Sequence, residues 1–164
     1  MVRVLTVYDS YFGNTEKIAH AIGNALDSQG DVEVLRVGKV KPEQVIGLEL
    51  LIVGSPTRKF RPSAPITRLL KGIARNGLVG IKVAAFDTRF SASDQESAFL
   101  RTLLNTFGYA AKPIADRLVR VDGELIIPPE GFIVVGTEGP LKEGELERAA
   151  DWARRIVAQK TSRE

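Results

Sequence analysis

Val7-Tyr8-Asp9-Ser10-Tyr11-Phe12-Gly13-Asn14-Thr15-Glu16 joins an apolar, β-branched run to an amphipathic stretch through a turn that carries Ser10, Gly13, Asn14 and Thr15. Strand, polar turn and helix N-terminus in that order open a βα unit. Such a turn directs several unbonded backbone N–H groups at one point and adds the positive end of the helix dipole. The Ser10 and Thr15 hydroxyls and the Asn14 amide offer further donors, and Gly13 lets the main chain approach an anion closely. The stretch therefore predicts an anion site of phosphate size. A plain structural reading stays open beside it, in which Asn14 or Thr15 caps the helix and Gly13 turns the chain.

Two nucleotide motifs are absent. No Gly-Lys-Ser/Thr follows the turn, which argues against nucleoside triphosphate hydrolysis. No Gly-x-Gly-x-x-Gly stands there either, which argues against a dinucleotide held at this turn. An anion the size of a mononucleotide is what remains.

Working outward, β-branched runs alternate with amphipathic stretches along the chain. Strands are expected at Val2 to Tyr8, Asp31 to Val37, Glu49 to Gly54 and Ile81 to Phe86. A last one comes in two pieces, Glu124 to Ile127 and Phe132 to Val135, with Pro128 and Pro129 placing the break at its entry or edge. Ile18, Ile22 and Leu26 recur at helical spacing, as do Ile66, Leu69, Leu70 and Ile73, then Phe99, Leu100, Leu103, Leu104 and Phe107. Ser93 and Glu96 form a capping-box pattern, Gly108 reads as a helix stop, and Pro113 opens a helix through Leu118. A final helix runs from about Gly144 to Gln159 with Leu146, Ala149, Ala153, Ile156 and Val157 inward. Lys41 to Gly47 allows only a short helix. The sum is one domain spanning residues 1–164, a three-layer α/β/α sandwich.

Composition narrows the chemistry. The 164 residues are 44% hydrophobic and include no cysteine and one histidine, so disulfides, thiolate metal sites and a histidine-rich metal centre are excluded. The polypeptide must therefore borrow its reactive chemistry from a cofactor or have none. Met1 leads directly into the apolar run without a leader pattern, and no apolar stretch reaches the length of a membrane span, so a cytoplasmic protein is expected. The 23 basic and 20 acidic residues make a mixed surface, which argues against a nucleic-acid partner.

In doubly wound sheets the ligand sits beyond the carboxyl ends of the strands, where strand order reverses. The converging loops here would be Ser10 to Thr15, Ser55 to Ser63 and Asp87 to Ser91. On these residues the chain resembles the flavodoxin-like family. Val7 to Glu16 is similar to its first-loop signature. Gly54-Ser55-Pro56-Thr57-Arg58 looks like the second flavin loop of quinone reductases of the tryptophan-repressor-binding type, and Ala85-Phe86-Asp87-Thr88-Arg89 stands where the third belongs.

The resemblance covers nearly the whole chain. It implies a flavodoxin-like fold with a five-stranded parallel sheet in the order 2-1-3-4-5, and noncovalent flavin mononucleotide (FMN); both features are those the general rule for this fold already names for flavodoxin itself. It assigns Ser10, Gly13, Asn14 and Thr15 to the phosphate cradle and Ser55, Thr57 and Arg58 to one edge of the flavin, with Tyr11, Phe12, Pro56 and Phe60 as further candidates in the same loops. Asp87 and Thr88 would face its pyrimidine end, with Arg89 next to them in the third loop. Tyr11 and Phe60 have rings that stack on planar heterocycles. Phe12 departs from the family, standing where a threonine hydroxyl usually meets the phosphate.

The second loop, Arg58-Lys59-Phe60-Arg61, is basic and lacks the glycine that flavodoxins place beside the ring, and Arg89 adds a further positive charge. Positive charge near the ring stabilises an anionic reduced form. The expectation is an FMN-dependent NAD(P)H:quinone-type oxidoreductase with electrons moving in pairs. Two alternatives remain open. One is a one-electron carrier docking on a redox protein partner; the other is a flavin-free binding module, for which Phe12 speaks. The resemblance admits a homo-oligomer as well as a monomer.

Among other residues, His20 falls off the apolar stripe of the first helix, and Trp152 reads as packing in the last. Asp151 and Arg155 have the spacing of an ion pair. Asp9 is expected to turn away from a phosphate or accept hydrogen bonds from the neighbouring loop.

Overall fold

A computed structural model of the chain describes residues 2–90, 98–99, 102 and 108–163. The strands are β1 (Val2–Tyr8), β2 (Gly30–Arg36), β3 (Leu50–Pro56), β4 (Lys82–Arg89), β5 (Glu124–Leu125) and β6 (Glu130–Ile133). The helices are α1 (Asn14–Leu26), α2 (Ala64–Gly72), α3 (Ala111–Arg120) and α4 (Glu145–Ser162). A 3-10 turn at Pro42–Val45 takes the place of the short helix expected there. Of the helix expected around Phe99 to Phe107, residues 98, 99 and 102 are described and helical, with Phe99 exposed rather than inward; Leu100, Leu103, Leu104, Phe107 and the Ser93 and Glu96 capping pattern lie outside the described residues.

All strand pairings are parallel, in the order β2-β1-β3-β4-β5 with β6 also on β4. This is the expected 2-1-3-4-5 order. The fifth position is shared by two short strands. β5 pairs Lys82 and Val83 with Glu124 and Leu125, and pairing resumes at Phe86 with Glu130. Residues 126–129 must therefore span a shorter stretch of β4, and they bulge from the ladder. The prolines thus break the edge strand in its middle, since neither Pro128 nor Pro129 has an N–H for β4.

The central strands are buried on both faces because helices cover both. On one side Leu5, Val7, Leu51 and Val53 pack against Ile66, Leu69 and Leu70 of α2 and Ile114, Ala115 and Leu118 of α3. On the other, Val4, Tyr8, Ile52 and Phe86 pack against Ile18, Ile22 and Leu26 of α1 and Ala149, Trp152, Ala153 and Ile156 of α4. Leu146 is exposed rather than inward, and Trp152 takes that place in the core. Phe86, Phe132 and Trp152 meet edge to face with centroids 6.0–6.1 Å apart, the favoured geometry for aromatic pairs. Asp151 pairs with Arg154 at 2.6 Å rather than with Arg155, which lies 4.0 Å from Glu130.

Capping differs between the helices. Ser63 caps α2, its Oγ accepting from Ile66 N. Helix α1 instead begins after Gly13, in the left-handed region at φ 91°, and has no side-chain cap. No helix among the described residues is long and apolar enough to cross a membrane.

The Phe86 ring lies across Gly54 of β3, where an added Cβ would overlap it. Gly54→Ala is expected to destabilise the protein by about 1–3 kcal/mol through overpacking, read as a lower urea midpoint. Combining it with Phe86→Leu should recover part of the loss. An unchanged midpoint would contradict this packing.

Candidate functional site

The C-terminal ends of β1, β3 and β4 point the same way, and their following loops enclose a cleft of about 360 Å³. Its wall includes Ser10, Tyr11, Phe12, Asn14, Thr15, Pro56, Thr57, Arg58, Phe60, Thr88 and Arg89, all read as site residues from the sequence. Lys59, Phe90, Tyr109, Val134 and Thr137 complete it. Gly13, Ser55 and Asp87 are not in the lining.

The floor of the cleft is the first loop. Gly13 N donates to Ser10 Oγ at 3.0 Å, which closes the turn and leaves the Ser10 hydroxyl hydrogen free to point elsewhere. Lys17 N donates to Gly13 O, so the helical ladder starts there. Among the described residues no protein acceptor meets the N–H groups of Tyr11, Phe12, Asn14, Thr15 or Glu16. The capping alternative fails because the two candidate side chains are engaged elsewhere. Thr15 Oγ1 lies 2.8 Å from Thr88 Oγ1, and Asn14 Nδ2 donates to Glu138 O at 3.1 Å. Either threonine can donate to the other, so one hydroxyl hydrogen of the pair stays available. Phe12 is 48% exposed and leaves the hollow open.

A carboxylate beside an anion site needs a counter-charge, and Asp9 has one that the sequence reading missed. Arg36, at the end of β2, sits 3.6 Å from Asp9 Oδ1 and donates to Ser10 O at 2.9 Å. It also lies 3.8 Å from Glu16 Oε2 and 5.4 Å above the Tyr8 ring. Asp9 Oδ1 accepts Ser10 N as well, so Asp9 and Arg36 together fix the start of the loop. The available signal was positional: Arg36 ends the strand beside β1, at the same edge of the sheet. Tyr109 was also missed, standing in a segment with no matching motif.

The second loop is a tight hairpin. Arg58 and Arg61 exchange both backbone hydrogen bonds, each at 2.9 Å. Lys59 and Phe60 between them adopt φ 49° and φ 68°, left-handed values that cost a non-glycine residue about 1–2 kcal/mol each. Ser55 supports the loop from below rather than lining the cleft: fully buried, its Oγ accepts Ser63 N and donates to Pro56 O. Thr57 ties the same loop to the start of α3, its Oγ1 accepting Ala110 N at 3.1 Å.

Asp87 and Arg89 differ from expectation. Asp87 is fully buried and turned away from the cleft, gripping Arg89 Nε and Nη2 at 2.6 Å each and accepting Ala111 N at 2.8 Å. Burial pushes its carboxyl above the usual aspartate range, against the pull of Arg89 and of the Ala111 N–H. The charge of Arg89 is thus spent on Asp87, and its guanidinium stacks 3.8 Å from the Tyr109 centroid. Gly131 makes room for this arrangement, since a Cβ there would overlap the guanidinium. Thr88, expected at the far end of a flavin, instead sits against Thr15 of the first loop.

The roof is a hairpin after β6. Val134 bridges to Leu141, and its tip lays Glu138 O and Gly139 on Asn14. Arg148 anchors its base, bonding Glu145, Glu130 and Gly131 O, while Glu145 accepts Ile133 N at 2.7 Å. The Asn14 side chain therefore fastens roof to floor, a task that removes one amide hydrogen from any anion.

No protein-family model matches the sequence, and no curated protein does. Solved structures do. A flavodoxin from the domain Archaea superposes with a TM-score of 0.74 at 22% identity, covering 96% of this chain and 98% of that one. Flavodoxin 2 from Bacillus cereus gives 0.76 at 22% identity, covering 96% and 99%. Rubredoxin oxygen:oxidoreductase from Desulfovibrio gigas gives 0.69 at 20% identity, covering 96% of this chain but 36% of that one. These likenesses establish the fold as flavodoxin-like.

Arg89→Met strands a buried carboxylate, and the expected loss at neutral pH is about 3–5 kcal/mol. Without the guanidinium the Asp87 carboxyl titrates higher still, so the folded protein binds a proton that the unfolded chain releases. The deficit should then shrink as pH falls through that raised value and grow as pH rises. Urea unfolding across pH reads it. A deficit independent of pH, or no recovery in Asp87→Asn/Arg89→Met, would contradict the account.

Proposed function

We propose that the cleft binds FMN noncovalently and that the protein is an oxidoreductase moving electrons in pairs from NADH or NADPH to a quinone-type acceptor. The observation that carries the reading is the row of unbonded N–H groups at Tyr11, Phe12, Asn14, Thr15 and Glu16 beneath an open cleft. Backbone N–H groups at a helix N-terminus are suited to a phosphate. Ser10 Oγ and the Thr15 and Thr88 hydroxyl pair can add donors, and Gly13 presents no side chain to the hollow. The cleft volume of about 360 Å³ falls within the range of roughly 300–1,000 Å³ typical of cofactor pockets. The residues present therefore fit the group.

Bound flavin would supply the hydride and electron transfer, and the chain's own groups would orient it and tune its charge. Tyr11, Phe60 and Tyr109 offer aromatic faces along the wall. Arg58 and Lys59 bring positive charge to the lining while Arg89 does not, being neutralised by Asp87. Unpaired positive charge favours an anionic reduced ring and hence paired electrons. The second loop supports the same direction. Both polar backbone groups of Arg58 are bonded to Arg61, so that peptide is not free to turn toward a ligand as its redox state changes.

A one-electron carrier is the second reading, favoured by the exposed Tyr11 and Phe12 at the mouth, since aromatics and arginine are enriched where proteins dock.

The test is direct. Purified protein is expected to be yellow, to release FMN on heating, and to bleach fully on reduction by NADH or NADPH without a transient red-region band. Quinone should restore the colour. A colourless protein that leaves added FMN fluorescence unchanged would overturn flavin binding. A strong red-region band during reductive titration would instead favour the one-electron carrier.

A further inference from the structure

Arg58 stands out among the cleft residues because its charge has no carboxylate partner and is held on an aromatic ring. Its guanidinium lies 4.6 Å from the Tyr11 centroid, bridging the first and second loops across the mouth. Among the described residues it makes no ion pair and no side-chain hydrogen bond, and the same holds for Lys59 and Arg61. Arg36, Arg89 and Arg148 all hold carboxylates. Three cations in four residues, all exposed and unpaired, therefore lie on one rigid hairpin.

The hairpin presents them at a cost. Lys59 and Phe60 adopt left-handed backbone values that glycine or asparagine would take more readily. The resulting turn directs Lys59 and Phe60 to the cleft wall together with Arg58. A guanidinium stacked on an aromatic ring is held in one plane with its N–H fork outward, ready for a planar oxyanion. Beside it are the half-exposed rings of Tyr11 and Phe12, with Phe90 on the same wall. Aromatic faces next to unpaired cations match a molecule that is itself flat at one end and anionic at the other.

We infer that Arg58, stacked on Tyr11 and flanked by Lys59 and Arg61, forms an anion subsite at the cleft mouth that selects an aromatic substrate bearing a carboxylate, sulfonate or phosphate. The inference rests on the reading of the cleft as a redox site and names the substrate class for it. Arg58 is a specificity residue here: it holds the charged group and leaves the flat portion over the cleft. A small anion is favoured over an acidic protein partner because two of the three cations, Arg58 and Lys59, line a cleft with aromatic walls.

Binding, measured by calorimetry on protein with and without FMN, tests this independently of turnover. The probes are anthraquinone sulfonate and uncharged hydroxymethyl anthraquinone. The sulfonate should bind about tenfold more tightly at low ionic strength, and the advantage should shrink at high salt. Arg58→Leu should abolish the preference, bringing the affinity for the sulfonate to that for the uncharged probe. Arg58→Lys should keep part of it, and Tyr11→Leu should weaken it without removing a charge. Equal binding of the two probes, or a preference that survives Arg58→Leu, would overturn the subsite. So would binding of polyglutamate with neither quinone bound, which would assign the patch to an acidic protein. Failure of the protein to bind added FMN would overturn the flavin reading alone, since discrimination between the probes is read either way.

Discussion

The left-handed turn at Gly13 is the constraint on which the site depends. By closing onto Ser10 Oγ it starts α1 without a side-chain cap, so the first-turn N–H groups face the cleft instead of being consumed. An uncapped helix end is costly unless something outside the helix meets it. Here the side chains that could cap it, Asn14 and Thr15, reach the roof hairpin and β4 respectively. The same bonds that leave the hollow open also tie the first loop to two distant parts of the chain.

The rest of the molecule serves to hold that turn at the right edge of the sheet. Burial of both sheet faces fixes the parallel order, and the reversal between β1 and β3 opens the crevice where the loops meet. Around it the charges are divided by role. Arg36 and Arg89 neutralise the buried Asp9 and Asp87, so neither carboxylate opposes an anion in the cleft. Arg58, Lys59 and Arg61 are left over, and on their unpaired charge the proposed redox behaviour and substrate selection rest.

Much of this was legible in the residues. The alternation of β-branched runs and helical periodicities marked the strands and helices, and the turn from Ser10 to Thr15 marked the candidate site, because both follow from local patterns of short range; the order of the strands came only from the family resemblance. What the sequence hid depends on partners far along the chain. Asp87 and Arg89 read as two loop residues facing a ligand. Only the packing of α3 against β4 shows them as a closed pair, with Ala111 N as third member. Arg36 lies 26 positions from its Ser10 contact and Glu138 lies 124 from Asn14, separations that no motif spans. The prolines at 128 and 129 mark an interruption at a strand entry or edge; the strand is indeed at the sheet edge, but sequence shows only that the ladder breaks, not that it resumes two residues out of step.

The most direct measurement compares the affinity of the flavin-free protein for FMN and for riboflavin, which differ by the phosphate alone. If the first-loop N–H groups receive that phosphate, FMN should bind about a hundredfold more tightly or better, since hydrogen bonds to a charged group contribute about 1.5–3 kcal/mol each. Equal affinity for the two would contradict the account at its foundation, whatever the colour of the protein.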